Sequence, residues 1–171
     1  KILTAMQYIL EDGRPPRQFS LPASADALPE MDLRMFIDQG NWIVSTLYTY
    51  LAFTDDYSIL SEPCGYYIPN KENTRIVAKS RIVDTVLDHL LKIMDFLACN
   101  LDSEGGTGCL RALYGDWNDS INELGGTRDP GKLFGSGVSV MATLHFYQNC
   151  KEMAAILKKI GLHKEKAAGY S

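Results

Sequence analysis

The chain has 171 residues, of which 46% are hydrophobic and 22% are charged. This composition is typical of a folded globular domain and excludes an intrinsically disordered chain. Lys and Arg number 17 against 21 Asp and Glu, a formal net charge of −4, and no basic block runs along the sequence. We therefore expect no nucleic-acid partner. The apolar stretches are shorter than the roughly 20 residues needed to cross a bilayer, which predicts no membrane span.

The early part of the chain predicts helices separated by loops. Residues 2–10 have apolar side chains at helical spacing, and Asp12-Gly13 ends the run. Proline-rich residues 14–30 predict an extended loop. Residues 41–53 are apolar around nearly the whole helical circumference, which is typical of a helix buried on most sides.

The pattern continues to the end of the chain. Residues 57–73 predict a loop, and residues 83–97 predict an amphipathic outer helix in which Asp88 and Lys92 form an i,i+4 pair. In the second half, residues 100–132 predict a loop and residues 138–160 predict a helix that stops at Gly161. Residues 163–171 predict a final short element. Because no alternating strand pattern competes, the sequence predicts an all-α fold, with two concentric helical layers.

The cysteines and histidines argue against a metal centre. The four cysteines contain no CxxC pair, and there are three histidines in the chain. This pattern predicts buried free thiols in a reducing compartment and, with no signal peptide evident, a cytoplasmic protein. The glycine-rich stretch lacks the phosphate-loop pattern and no GxSxG is present, so neither a nucleotide cofactor nor a nucleophile elbow is expected.

One candidate site is the run Asp116-Trp117-Asn118-Asp119. An indole beside a carboxyl group desolvates it, which raises its pKa toward that of a general acid, and also offers a face for a sugar ring. The alternative is that Asp116 or Asp119 caps a short helix around residues 121–124.

The second candidate site is the region from Arg34 to Trp42, which includes Asp38 and Gln39. Acidic and amide side chains at the start of a helix often cap it. The same groups next to an Arg and a Trp could also bind the paired hydroxyls of a sugar. His89 is interpreted as a surface or core-edge residue and His145 as a satisfied interior residue, and neither is assigned to catalysis.

These motifs resemble the inverting β-glucan phosphorylases of glycoside hydrolase family ninety-four, which include cellobiose and chitobiose phosphorylases. The run at 116–119 is the centre of the likeness. It extends over most of the chain, to the segments 12–14, 38–42, 48–54 and 138–140.

The resemblance implies an (α/α)6 barrel and names several site residues. Asp119 would be the general acid that protonates the glycosidic oxygen, while inorganic phosphate attacks the anomeric carbon and yields α-glucose 1-phosphate with inversion. Arg34, Asp38, Gln39, Asp116 and Trp117 would bind the oligosaccharide. Besides phosphate as co-substrate, no cofactor or metal is implied.

The likeness also implies that residues 1–171 are one part of the catalytic domain, without a second domain. A dozen helices with their connections need on the order of 190 residues, so this barrel would be too short to close. The family's phosphate-binding His would lie beyond Ser171. A broken barrel would expose apolar surface, which favours a homo-oligomer or docking with the missing remainder.

Three functions remain open at this stage. Asp38-Gln39-Gly40 and the segment 129–132 look more like the branch that acts on β-1,2-linked oligoglucans than like cellobiose phosphorylases. An inverting hydrolase on the same barrel would need a base, for which Asp38 is the candidate, about 6.5 to 9.5 Å from the acid. The third function is a non-catalytic carbohydrate-binding or helical interaction fragment.

Overall fold

A computed structural model describes residues 1–22, 24, 27–70, 76–118 and 125–171. Within these ranges the helices are α1 (Ile2–Met6), α2 (Gln39–Thr54), α3 (Val86–Cys99), α4 (Val140–Ile160) and α5 (Lys164–Gly169). The strands are β1 (Gln18–Phe19), β2 (Met31–Asp32), β3 (Pro63–Pro69) and β4 (Val77–Thr85), and a 3-10 helix covers Tyr57–Ser61.

The prediction of an all-α fold is wrong. Strands β1 and β2 form one antiparallel sheet, and β3 and β4 form a second, longer one. The chain is therefore a mixed structure of helices and strands. The predicted assignment to part of an (α/α)6 barrel was made as an all-α fold and is wrong for the same reason.

The long hairpin escaped prediction because a register shift between Gly65 and Tyr67 interrupts the alternation of buried and exposed side chains along β3. Prolines stand at both ends of β3, and Val77 alone is fully buried among the residues of β4. A strand that buries so few of its side chains, as β4 does, shows no alternating apolar pattern in the sequence. Val83 also continues the apolar spacing of the following helix, so that helix was predicted to begin too early.

Helix α3 begins at Val86, where Thr85 and Asp88 form a capping box. The Thr85 N–H donates to Asp88 Oδ2 at 3.0 Å, and the Asp88 N–H donates to Thr85 Oγ1 at 3.2 Å. Asp88 is thus engaged at the helix start. Lys92 pairs instead with Asp84 at 3.2 Å, so the predicted Asp88–Lys92 pair is wrong.

The main core lies between α2, α3, α4 and α5, with α1 and the hairpin packed against it. His89 is fully buried there, stacked on Tyr66 with ring centroids 3.8 Å apart. Its two ring nitrogens lie 2.9 Å from the carbonyl oxygens of Thr85 and Gly65, and so join α3 to the hairpin. The interpretation of His89 as a surface or core-edge residue is wrong.

Helices α2 and α4 lie where the sequence predicted them and pack against each other. Val44, Leu47 and Leu51 of α2 are buried, whereas Trp42 and Phe53 are 51% and 88% exposed. Helix α2 therefore keeps one open side, which carries Trp42 and Phe53. Helix α4 ends as expected at Gly161, whose φ of 72° is left-handed.

Two simpler expectations can also be compared with the structure. The described part of the chain holds no helix both long and apolar enough to cross a membrane. All four cysteines are free thiols, but Cys99 is exposed and Cys109 and Cys150 are half-buried, so the prediction of buried thiols is correct for Cys64 alone.

Replacing Gly13 with Ala tests how closely the first loop approaches α3. Gly13 has φ +85°, and a Cβ there would lie 2.2 Å from the carbonyl oxygen of Lys92. We expect Gly13→Ala to lower the free energy of unfolding by at least about 2 kcal/mol, measured by urea denaturation. The control is Gly169→Ala, where a Cβ meets nothing within 4 Å and which we expect to change stability by less than about 0.5 kcal/mol. Equal stability of the two variants would contradict this account.

Candidate functional site

The segments that lead into Asp38 and Asp116 lie side by side. The Tyr114 N–H donates to the Met35 carbonyl at 2.9 Å, and the Ile37 N–H donates to the Gly115 carbonyl at 3.0 Å. Each aspartate follows directly after this pairing. The backbone therefore brings the two sequence motifs, distant along the chain, to one place.

Asp38 is a buried carboxylate, only 1% exposed, at the start of α2. Its Oδ2 accepts from the indole N–H of Trp42 at 2.9 Å, and its Oδ1 accepts from the Gln39 side chain at 3.2 Å. Burial raises the pKa of Asp38, and the negative charge of Asp116 raises it further, while the Trp42 hydrogen bond opposes the shift. Asp38 thus carries its charge at an energetic cost.

Asp116 is also buried, 4% exposed, and joins the loop to α4. Its Oδ2 accepts from the hydroxyl of Ser139 at 2.6 Å, and its Oδ1 accepts from the Asn118 N–H at 2.9 Å. Ser139 is the N-cap of α4, where its Oγ also accepts from the Ala142 N–H at 3.1 Å. Asp116 therefore fixes the loop against the helix start through the capping residue.

Arg34 reaches the same region through Tyr114. Its Nη1 donates to the Tyr114 hydroxyl at 2.9 Å, and its guanidinium carbon lies 4.8 Å from the centre of that ring. The Nε and Nη2 edge of the guanidinium donates to Asp32, with Nη2 at 2.6 Å from Oδ2. This hydrogen-bonded pair lowers the pKa of Asp32 against the opposing effect of burial.

Two indoles are exposed around the buried carboxylates. Trp42 is 51% and Trp117 is 62% exposed. Trp42 is bonded to Asp38, and Trp117 follows Asp116 in the chain. Exposed aromatic faces beside polar groups are typical of surfaces that bind an amphipathic ligand such as a sugar.

The structure thus brings most of the predicted site residues into one region: Arg34, Asp38, Gln39, Asp116 and Trp117. Their part in substrate binding stays a prediction. The predicted general acid Asp119 lies outside the described residues, as does the segment that an aspartate was alternatively expected to cap.

Sequence reasoning missed a polar cluster between α2 and α4, centred on Ser45. The Ser45 hydroxyl lies 3.0 Å from Nε2 of His145, donates to Glu152 at 2.8 Å and accepts from the Asn149 amide at 2.9 Å. His145, Asn149 and Glu152 recur every three or four residues on α4, and that polar spacing could have revealed them. This cluster is unlike a nucleophilic triad, in which the carboxylate binds the imidazole and not the serine.

A small cavity opens beside Trp42. It has a volume of about 230 Å³, and its lining includes Gln39, Trp42, Arg17, Pro16 and Phe19. Among the described residues, no group of His, Cys, Asp and Glu side chains could hold a metal ion.

Comparison with known proteins adds family information to this geometry. Residues 17–170 match the sequence model described as "Glycosyl hydrolase 94 superfamily, catalytic domain". The chain is also 27% identical over 160 residues to a protein named solabiose phosphorylase from Paenibacillus borealis. That alignment covers 94% of this chain but 17% of the relative, so the chain spans a minor part of the relative's length.

The raised pKa of Asp38 predicts a pH-dependent gain in stability for Asp38→Asn. A carboxyl whose folded pKa exceeds the unfolded value contributes less stability as the pH rises from the ordinary value of 3.8 through the raised one. Asparagine has no such loss. We expect the unfolding free energy of Asp38→Asn, relative to the unmodified chain, to increase from about pH 4 to about pH 8 in urea titrations.

The control for this experiment is Asp32→Asn. Because Arg34 lowers the pKa of Asp32, that carboxylate contributes stability above the ordinary value that is lost as the pH falls through the lowered one. Its variant should lose stability, relative to the unmodified chain, as the pH rises toward 3.8, and the difference should then stay level from about pH 4 to about pH 8. Curves of the same slope for both variants would show that Asp38 carries no burial penalty.

Proposed function

This chain belongs to the Glycosyl hydrolase 94 superfamily, and we propose that it supplies the general acid and part of the sugar-binding surface of a glycoside phosphorylase. The substrate class is a β-linked gluco-oligosaccharide, which the enzyme cleaves with inorganic phosphate to give α-glucose 1-phosphate. Because the chain spans 17% of its phosphorylase relative, the activity is proposed for the protein that carries this chain.

The observation that carries the proposal is the pairing of residues 35–37 with 114–115. This pairing brings together two buried carboxylates, Asp38 and Asp116, of which the first binds the exposed indole of Trp42 and the second precedes the exposed Trp117 in the chain. A pyranose has C–H groups on its faces and hydroxyls around its edge. An aromatic face can stack on the C–H groups while neighbouring polar side chains bind the hydroxyls.

In the proposed reaction Asp119 donates its proton to the glycosidic oxygen as the bond to the anomeric carbon breaks. A phosphate oxygen forms the new bond to that carbon from the opposite face, which inverts its configuration. Phosphate is itself the nucleophile, so the reaction needs one carboxylic acid and no base to activate water. The leaving sugar keeps the proton that Asp119 gave.

The side chains described here fit supporting roles in that reaction. Asp116, three residues before the proposed acid in the sequence, is fixed to the start of α4 by its hydrogen bond to Ser139. Trp117 offers a stacking face, and Arg34 and Gln39 offer donors for sugar hydroxyls. Asp38 orients Trp42 and Gln39, because its carboxylate accepts a hydrogen bond from each of their side chains.

An inverting hydrolase is the second candidate, and the raised pKa of Asp38 is the observation that favours it. A carboxylate that binds protons more readily is a better general base. However, Asp38 is 1% exposed and both of its oxygens already accept hydrogen bonds, so an attacking water would have to displace neighbouring groups. This arrangement favours the phosphorylase.

The test measures release of glucose 1-phosphate and of free glucose from β-1,2- and β-1,4-linked gluco-oligosaccharides, with and without phosphate. We expect phosphate-dependent glucose 1-phosphate from the protein that carries this chain. Asp119→Asn should lower its rate roughly 100- to 10,000-fold, the usual contribution of a general acid. Binding of the oligosaccharide, measured by calorimetry, should survive the substitution.

The matched control is Asp129→Asn, an exposed aspartate of the same loop region whose Oδ1 accepts from the Gly131 N–H. Asparagine keeps that acceptor, so we expect a rate within about twofold of the unmodified protein. Free glucose formed equally without phosphate would establish the hydrolase. Sugar binding without either product would leave a carbohydrate-binding module, and absence of binding would overturn the proposal altogether.

A further inference from the structure

Trp42 is held from two directions by residues of different helices. Its indole N–H donates to Asp38 Oδ2 at 2.9 Å, at the start of α2. Its ring also meets the imidazole of His145 from α4, with centroids 4.6 Å apart and planes at 76°. This edge-to-face geometry is a favoured arrangement of aromatic rings. His145 therefore contacts the ring of Trp42, the residue whose indole N–H binds Asp38.

The hydrogen bonds of Ser45 determine how His145 is itself held. The Ser45 hydroxyl has one hydrogen, which it donates to Glu152 Oε2 at 2.8 Å, an acceptor when ionised. Nε2 of His145, 3.0 Å from the same oxygen, must then be the donor. The imidazole is thus tethered through an Nε2–H, and the Asn149 amide, 2.9 Å away, fills the remaining acceptor position of Ser45.

From these contacts we propose that His145 is a positioning residue, which fixes the indole of Trp42 and through it the hydrogen bond to Asp38. An indole that is half exposed would otherwise sample several rotamers. The tether from Glu152 through Ser45 to His145 removes that freedom. The sugar-binding consequence rests on the proposed function, whereas the positioning of Trp42 does not.

The charge around His145 is consistent with this role. Glu152 on α4 and Asp38 at the start of α2 are the acidic groups that favour its protonation, but burial outweighs them and lowers its pKa. The imidazole is therefore neutral at neutral pH and donates one hydrogen bond, as the Ser45 geometry requires. Protonation at lower pH adds charge next to Trp42, which provides a spectroscopic handle.

The test uses proton–nitrogen NMR of the isotope-labelled chain, in which the two tryptophans give two indole N–H signals. Trp117→Phe identifies the Trp42 signal, and Asp38→Asn identifies the shift caused by the carboxylate. We expect the Trp42 signal to move in a step as His145 titrates below the ordinary imidazole range. This step should disappear in His145→Phe, which keeps a ring against the indole but has no titrating group.

The second measurement is hydrogen exchange of the Trp42 indole with water. Both His145→Ala, which removes the ring, and Ser45→Ala, which removes the tether, should accelerate it about tenfold, since the Asp38 bond opens more often. The control is Leu144→Ala, which changes a 65% exposed side chain next to His145 and should leave exchange unchanged. The remaining amide signals show whether each variant is folded.

The outcomes separate this proposal from the proposed function. Unchanged exchange in folded His145→Ala, or in a folded Ser45→Ala, would overturn the positioning role whatever the sugar result. If the chain binds β-linked gluco-oligosaccharide, His145→Ala should weaken that binding several-fold, and an unchanged affinity would overturn the role in binding. If the unmodified chain binds no sugar, the proposed function fails, while indole exchange still decides the role of His145.

Discussion

The hydrogen bond between Asp116 and Ser139 is the constraint on which the site depends. Asp116 is buried in a loop, and Ser139 caps α4, so one 2.6 Å contact joins an irregular segment to the longest helix. A buried carboxylate is stable only when its oxygens are bonded, and here the helix cap supplies the donor. The same cap directs α4 against α2, where the Asn41 amide donates to the Ala142 carbonyl at 3.1 Å.

The interface between α2 and α4 buries polar side chains, which costs free energy, and also contains the hydrogen bonds that offset this cost. Asn149 donates to Glu152 and to Ser45, and these bonds offset part of the cost of burying polar groups. Asp38 lies at the start of α2, where burial raises its pKa against the effect of its hydrogen bond from Trp42. Buried groups with perturbed pKa values gather at functional sites more often than elsewhere, which agrees with the family of this chain.

Prediction from sequence succeeded where the side-chain pattern reports on burial. The apolar spacing in α4 and its end at Gly161 located that helix, because periodicity and C-terminal capping are local properties. It failed for the hairpin of β3 and β4, which is held by backbone hydrogen bonds and by the stacking of Tyr66 on His89, because neither contact leaves a pattern along a single strand.

Helices α2, α3 and α4 could be predicted from the residue pattern alone, because helical spacing and capping depend on neighbours along the chain. Which motifs meet depends on the tertiary fold. Arg34 and Tyr114 are 80 residues apart and touch only because the strand-like segments beside them pair through backbone hydrogen bonds. Such pairing depends on peptide groups that every residue carries, so side-chain types alone do not specify it.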